Sequence, residues 1–487
     1  MKKNKILTDS IALTVVKVMT MMISIVSTMI LSRMLDLKSY GTYSTGNLII
    51  NTATSLSALG LLDAVNFYYN SKKDLKEKYI NTIFALVIFN GIIIALIILI
   101  FRKNIQSYFH NNLLSYIFIY IIFRPLIGNI GLGLQNLQVS IGKAKIVAFR
   151  NAVISFAKLF SVIMTAFFTK NIQTIFFIML VIEIISIFFY YKVLKENNII
   201  IRPQEFNTSL FKEILFYCIP MGIYIQTNVL SRDLDKYIIG FYESTDKLAI
   251  YANNATKLPF DVVSGPLLVV LIPILTRCIA NNDLKNSVKL FKANIKIGYT
   301  ITFIIGTTVL ALAKPSILFL YGEKYLAGKI VFMLYVLVDM MNFISFSIVL
   351  GAKGKTKILM FISLIGLIFN YIVNYLFYNI FGFIGPAIAT VVMTFILNSI
   401  LLYISSFILN TSIFFMFDWK HIIMLCFEMF LLGIIINRIS FILELKNINY
   451  LYNLFVLGIT SVAIGILFNF KQIKSALMEL DKITKTH

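Results

Sequence analysis

Charge in an apolar setting is the first chemistry this sequence offers. Residues 214–239 and 248–276 form two apolar segments, each long enough to cross a bilayer as a helix. They nevertheless carry Arg232, Asp233, Asp235, Lys236, Lys257 and Asp261. Hydrocarbon penalises such charges by roughly 2.5–3.5 kcal/mol each at a helix centre. Arg232 and Lys236 are four apart and share a helix face, with Asp235 close beside them, and Lys257 and Asp261 repeat that spacing. Pro259, Pro266 and Pro273 recur at every seventh residue, each removing a backbone donor and favouring a kink. Kinked, charged helices inside a membrane line polar cavities. Charges near a helix end can instead reach the headgroups, an alternative that applies to Arg232, Asp233, Asp235 and Lys236 more than to Lys257.

Three further cations lie within apolar segments: Lys17, Arg124 immediately before Pro125, and Lys158. Together with Lys257 they furnish a cavity attractive to phosphate, which Arg grips as a planar fork and Lys as a point charge. Five embedded acids, Asp63, Glu183, Asp261, Asp339 and Glu428, leave a second assignment open, in which each cation is neutralised by a neighbour. Asp63, Asp261 and Asp339 are also candidates to pair with the cations or to carry a coupling proton or cation. Tyr224, Gln226, Asn228, Asn253 and Asn254 are candidates to contact sugars, or to hydrogen-bond between helices as polar membrane residues commonly do.

Many long apolar helices are needed to position these groups. The chain has 487 residues, 59% hydrophobic and 14% charged, against about 25% charged in soluble proteins. Hydropathy and punctuation predict an all-α polytopic membrane protein of about fourteen spans, near 9–34, 41–68, 79–101, 114–141, 146–169, 172–194, 214–239, 248–278, 293–314, 326–351, 357–379, 382–408, 419–437 and 449–470. With both termini inside, the inner connections hold more than twice the Lys and Arg of the outer ones, which orients the chain. The connections are short, leaving no room for a soluble catalytic domain.

A weak internal repeat is visible. Gly142-Lys143-Ala144-Lys145 matches Gly354-Lys355-Thr356-Lys357, and Tyr40-Gly41-Thr42-Tyr43 matches Leu248-Ala249-Ile250-Tyr251 at nearly the same offset. The expected organisation is an N-terminal six-helix bundle (1–200) and a C-terminal six-helix bundle (201–410) in parallel pseudo-repeat. Two additional helices and a basic cytoplasmic tail (411–487) follow. Two parallel halves are a transporter architecture, with substrate bound between them and access alternating.

Several classes are disfavoured. Cys218, Cys278 and Cys426 have neither metal nor disulfide spacing, and His110, His421 and His487 are scattered, so no metal or other cofactor is expected. Residues 351–356 superficially resemble a phosphate-binding loop, but the first required Gly is Val349 and no strand precedes. A net charge of +22 is spread between apolar spans, not gathered in a nucleic-acid patch. The apolar run after Lys2, Lys3 and Lys5 continues to about Leu35 without a cleavage site, and reads as a retained first span.

Ser32-Arg33-Met34-Leu35, Tyr40-Gly41-Thr42-Tyr43 and Gly60-Leu61 resemble the start of bacterial polysaccharide flippases. These are the O-antigen and capsule-type, Wzx-like members of the multidrug/oligosaccharidyl-lipid/polysaccharide exporter superfamily. Tyr251 with Lys257, and the two Gly-Lys-x-Lys turns, add to the resemblance, which covers roughly residues 5–410. Fourteen spans are similar to the polysaccharide and peptidoglycan-precursor members, whereas drug/cation antiporters of the superfamily typically have twelve. The resemblance implies a non-enzymatic protein of the bacterial inner membrane. Its cargo would be an undecaprenyl-pyrophosphate-linked oligosaccharide, moved from the cytoplasmic to the outer leaflet. Lys17, Arg124 and Lys257 would hold the pyrophosphate, with Arg232, Lys236 and Lys158 as further candidates. Partners would be lipid-linked oligosaccharide, membrane lipids, and the polysaccharide polymerase and chain-length machinery. Alternatives are a drug/cation antiporter of the same fold, a membrane glycosyltransferase, polymerase or ligase, and a scaffold within a polysaccharide synthesis complex.

Overall fold

The structure is a computed structural model that describes residues 2–71, 74–169, 171–256, 258, 271–272 and 274–486. Among these residues there is no strand. Hydrocarbon supplies no partners for backbone N–H and C=O groups, so an apolar chain of this kind must satisfy them within helices. Eleven helical stretches among the described residues are long and apolar enough to cross a membrane. One of these, Lys357–Ile408, comprises two helices that meet at Gly382. Within the expected span at 248–278, residues 257, 259–270 and 273 lie outside the described residues.

Contacts divide the chain into two compact units, Met1–Ala249 and Ile250–His487. The first contains α1 (Lys2–Met34), α2 (Leu37–Ala58), α3 (Leu61–Ser71), α4 (Lys76–Ile100), α5 (Arg102–Tyr108), α6 (Phe118–Ser140), α7 (Ala144–Phe168), α8 (Ile172–Glu196) and α9 (Thr208–Tyr242). Helix α10 (Thr245–Asn254) leads into the second. There follow α11 (Leu284–Ala311), α12 (Ala313–Leu320), α13 (Lys329–Met341), α14 (Thr356–Phe381), α15 (Gly385–Ile408), α16 (Trp419–Leu445) and α17 (Gly458–Thr486). Helix α9 packs with α2, α3 and α4, so the contact boundary lies one span beyond residue 200.

Two expected spans are each broken in the middle, and the sequence reading of both as continuous is corrected. The span predicted at 41–68 stops at Ala58 and restarts at Leu61. Leu59 (φ 42°) and Gly60 (φ 76°) are both left-handed, a conformation free for Gly but costing Leu about 1–2 kcal/mol. Helix α6 sutures the break. Asn129 Nδ2 donates to the Thr54 carbonyl (2.9 Å) and Ser57 Oγ (2.6 Å), and Asn136 Nδ2 donates to the Leu62 carbonyl (3.0 Å). Gly222 of α9 lies against the break, where an added Cβ would stand 2.6 Å from the Leu59 carbonyl carbon.

The span predicted at 326–351 ends as a helix at Met341 and resumes at Ile348. Here α15 supplies the partners. Asn398 Nδ2 donates to the Met341 carbonyl (3.2 Å) and Asn342 Oδ1 (3.1 Å), and Ser405 Oγ donates to the Phe346 carbonyl (3.3 Å). A helix interruption at membrane depth is tolerated only with such replacement partners.

The C-terminal pair α16 and α17 is joined to α11 along a polar seam. Lys296 Nζ pairs with Asp418 at 2.9 Å. The Asn469 amide nitrogen donates to Glu428 (3.2 Å) and the Gly465 carbonyl (3.1 Å), so its oxygen accepts from His421 Nε2 (2.8 Å). That assignment makes the Tyr299 hydroxyl the donor to His421 Nδ1, also at 2.8 Å. Further along, Thr308 and Ser461 share a hydrogen bond at 2.8 Å.

Gly222→Val should lower the unfolding temperature in detergent, at a cost of about 1–3 kcal/mol, because the Leu59 backbone must move. Gly351→Ala, where a Cβ meets nothing within 4 Å, should be neutral in the same melt. Asp418 supplies an acid-sensitive component. Partial burial would raise its carboxyl, but the Lys296 ammonium and the His421 N–H hold it below the ordinary carboxylate range. Its stabilisation is therefore present above that range and is lost as pH falls through the lowered value. Asp418→Asn should flatten the acid limb of a stability-against-pH curve.

Candidate functional site

The break between α2 and α3 opens a polar cavity of ≈ 520 Å³ within the first unit. Its polar wall comprises Asn51, Thr54 and Ser55 of α2, Asp63 of α3, Arg124, Asn129 and Asn136 of α6, and Arg232 of α9. Interrupting a helix frees backbone groups that recruit polar side chains around them, so the break itself creates a polar compartment. Several groups there retain hydrogen-bonding capacity. Thr54 Oγ1, Ser55 Oγ, Asn129 Oδ1 and Arg124 Nη1 are buried atoms without a hydrogen-bond partner among the described residues. Asp63 sits in the first turn of α3, where the helix dipole favours a carboxylate.

Arg124 precedes Pro125 within α6, and its guanidinium lies over Gly128, where a Cβ would overlap Nη1. Its Nε approaches Glu183 Oε2 of α8 at 2.6 Å, an ion pair that lacks the alignment of a hydrogen bond. The other oxygen of Glu183 takes Lys158 Nζ of α7 at 3.1 Å. One buried carboxylate thus serves two cations, leaving that cluster with an excess positive charge.

The second group of candidates is arranged around Asp233. Arg232 Nη2 reaches its Oδ2 at 3.2 Å and Lys236 Nζ its Oδ1 at 2.8 Å. Asp235, the acid that sequence spacing favours, is buried on α9 as Asp233 is. Arg232 is 61% exposed, so its pairing leaves it accessible. The structure therefore brings Arg124, Arg232 and Asp63 to one cavity, and places Lys158 behind Arg124 and Lys236 beside Arg232. Lys17 is exposed on α1 and makes no ion pair among the described residues. In the second unit, buried Asp339 accepts from the Leu258 N–H at 2.8 Å. Lys257 and Asp261 lie outside the described residues. Of the candidate sugar contacts, Asn254 donates to the Tyr325 carbonyl (3.0 Å) and Asn228 to the Tyr224 carbonyl (2.7 Å).

Sequence reasoning missed the neutral half of this site. Asn51, Thr54, Ser55, Asn129 and Asn136 carry no charge and stand out only as polar residues in apolar segments. The signal available was Asn129 and Asn136, seven apart on one face of α6, opposite a Leu-Gly pair that interrupts a predicted span.

The family model described as "Polysaccharide biosynthesis protein" matches residues 30–329, a stretch that includes the whole cavity wall. The chain belongs to this family. No curated protein matches it. Among solved structures, the lipid II flippase MurJ in an inward closed conformation has a TM-score of 0.69 at 14% identity, covering 95% of this chain and 100% of that one. An inward-facing multidrug resistance MATE family transporter of the MOP superfamily gives 0.59 at 13% identity, covering 81% and 96%. The Vibrio cholerae MATE transporter VcmN in its bent form gives 0.54 at 14%, covering 85% and 98%. At these identities the likeness establishes the fold. The polysaccharide biosynthesis protein is thus a multi-pass membrane protein with the helical architecture shared by the lipid II flippase and the MATE transporters.

Asn129→Leu keeps the branched outline and heavy-atom count of this fully buried side chain but strips the Thr54 carbonyl and Ser57 of their donor. The variant should lose about 1–3 kcal/mol of stability. Hydrogen exchange should show the gain in amide exposure concentrated around residues 54–62.

Proposed function

We propose that this polysaccharide biosynthesis protein is a flippase for undecaprenyl-pyrophosphate-linked oligosaccharide. It would carry the glycan headgroup from the cytoplasmic to the outer leaflet of a bacterial inner membrane by alternating access. The observation that carries the proposal is the polar cavity bearing two arginines, Arg124 and Arg232, inside a bundle of apolar helices. A diphosphate and its sugars lose their water on entering hydrocarbon, which no lipid tail can compensate. A wet cationic compartment replaces that water, with guanidinium forks for the phosphates and hydroxyl and carboxamide groups for the sugar. The lipid tail stays in the bilayer. Outward movement of the anion is favoured by an inside-negative potential, by roughly 2.3 kcal/mol per charge per 100 mV.

Further support comes from the family match and from the fuller coverage of this chain by the lipid II flippase than by the MATE transporters. In this reading both termini are cytoplasmic, Lys17 and Lys257 contribute to anion capture, and no reaction is catalysed. The two bundles and C-terminal pair are the moving parts, and polymerase and chain-length proteins receive the product. One observation favours a second reading, cation-coupled drug export. Asp63 lines the cavity without an ion pair among the described residues, as a coupling acid would.

The test is the leaflet distribution of lipid-linked oligosaccharide in cells with and without the protein. Loss of the protein should trap the oligosaccharide on the cytoplasmic face, and its return should relieve the block. Arg124→Ala and Lys257→Ala should each reduce export on the order of tenfold or more at normal protein levels. Normal export by both variants would refute the cationic site. Oligosaccharide that reaches the outer leaflet equally well without the protein would favour drug export.

A further inference from the structure

Glu183 occupies an unusual position for a membrane-embedded acid. Each of its oxygens faces a different cation: Oε2 faces Arg124 Nε at 2.6 Å and Oε1 faces Lys158 Nζ at 3.1 Å. The carboxylate is the most enclosed of the three side chains, at 11% exposure against 22% for Arg124 and 33% for Lys158. Only Arg124 of the three borders the cavity. Its Nε faces Glu183 as an ion pair, while Nη1 has no hydrogen-bond partner among the described residues. A guanidinium has five donors in a fixed plane, so a carboxylate that draws one edge toward itself also restricts where the other can reach.

We propose that Glu183 is a positioning residue that competes with the transported anion for Arg124. It thereby sets both how tightly that anion is held and how readily it leaves. The inference rests on the diphosphate reading of the cavity. In the resting arrangement the carboxylate stands where a phosphate oxygen would be welcome, and two cations share one anion. An arriving diphosphate draws Arg124 toward the cavity. Glu183 is not left as a bare buried charge, because Lys158 remains paired with it. On release the carboxylate recaptures Arg124. Lys158 therefore acts behind Glu183, out of contact with the anion, which revises its role as a candidate phosphate ligand.

The arrangement predicts opposite effects from two neighbouring neutralisations. Glu183→Gln removes the competitor, so the anion should bind more tightly and leave more slowly. Lys158→Gln throws the whole carboxylate onto Arg124, so the anion should bind more weakly. A merely structural ion cluster would instead lose affinity in both variants.

The experiment uses the full chain in nanodiscs, titrated with undecaprenyl diphosphate and with uncharged undecaprenol, and in proteoliposomes for turnover. For the diphosphate, Kd should fall on the order of tenfold in Glu183→Gln while turnover drops, and should rise by a similar factor in Lys158→Gln. Glu183→Asp should restore wild-type behaviour in part. Unchanged or weaker binding by Glu183→Gln would overturn the inference. Should that variant fail to fold, unchanged or tighter binding by Lys158→Gln would do the same. Wild-type protein that holds diphosphate and undecaprenol equally would overturn the diphosphate reading and this inference together. Discrimination by the wild type with both variants unaltered would overturn the inference alone.

Discussion

The constraint on which the rest depends is that a carbonyl or amide at membrane depth has no water to turn to. Each unsatisfied group there costs several kcal/mol, so continuous helices are the default and any interruption must bring its own partners. Among the described residues two expected spans are interrupted, and each is met by carboxamides from a neighbouring helix: Asn129 and Asn136 for the first, Asn398 for the second. Close approach makes these sutures effective. Gly222 and Gly298 have no side chain to hold the neighbouring backbone away, and a Cβ at either would stand within 2.7 Å of it. The same break that demands partners also furnishes the polar wall of the cavity. Stability and the proposed function therefore draw on one local feature.

Electrostatics adds a second layer. The embedded charges are gathered around shared acids: Glu183 serves Arg124 and Lys158, and Asp233 serves Arg232 and Lys236. Each group keeps one more positive charge than negative. In the proposed reading that surplus gives an anion a reason to enter, while the acids keep the unloaded protein tolerable to its surroundings. A site with no acids would hold its cargo too firmly to release it, and one with full neutralisation would not attract it.

Much of the architecture was legible in residue order. Long apolar runs, their lengths and the placement of lysines announced a polytopic helical protein, because hydrocarbon imposes a strong and local rule. The embedded cations Arg124, Lys158, Arg232 and Lys236 were equally visible, since charge in such a run is rare. What could not be read was which acid each cation meets. Spacing favoured Asp235, whereas Asp233 takes both Arg232 and Lys236, and Glu183 lies two helices away from Arg124, so the pairing depends on helix rotation and tertiary packing. The breaks were hidden for a different reason. Hydropathy averages over a window longer than the Leu59-Gly60 interruption, and Leu59 offsets the little that Gly60 takes from the mean. Backbone dihedral, not composition, marks them.

The seam between α11 and the C-terminal pair bears on how the polypeptide can be shortened. Lys296, Tyr299 and Thr308 all spend their polar atoms on α16 or α17. A chain ended after α15 would turn that stripe toward acyl chains. Such a fragment would hide the stripe by pairing with another copy of itself or by drawing in detergent headgroups. The last two helices are therefore poor candidates for removal as an appendage, and a fusion reporter is better attached beyond them.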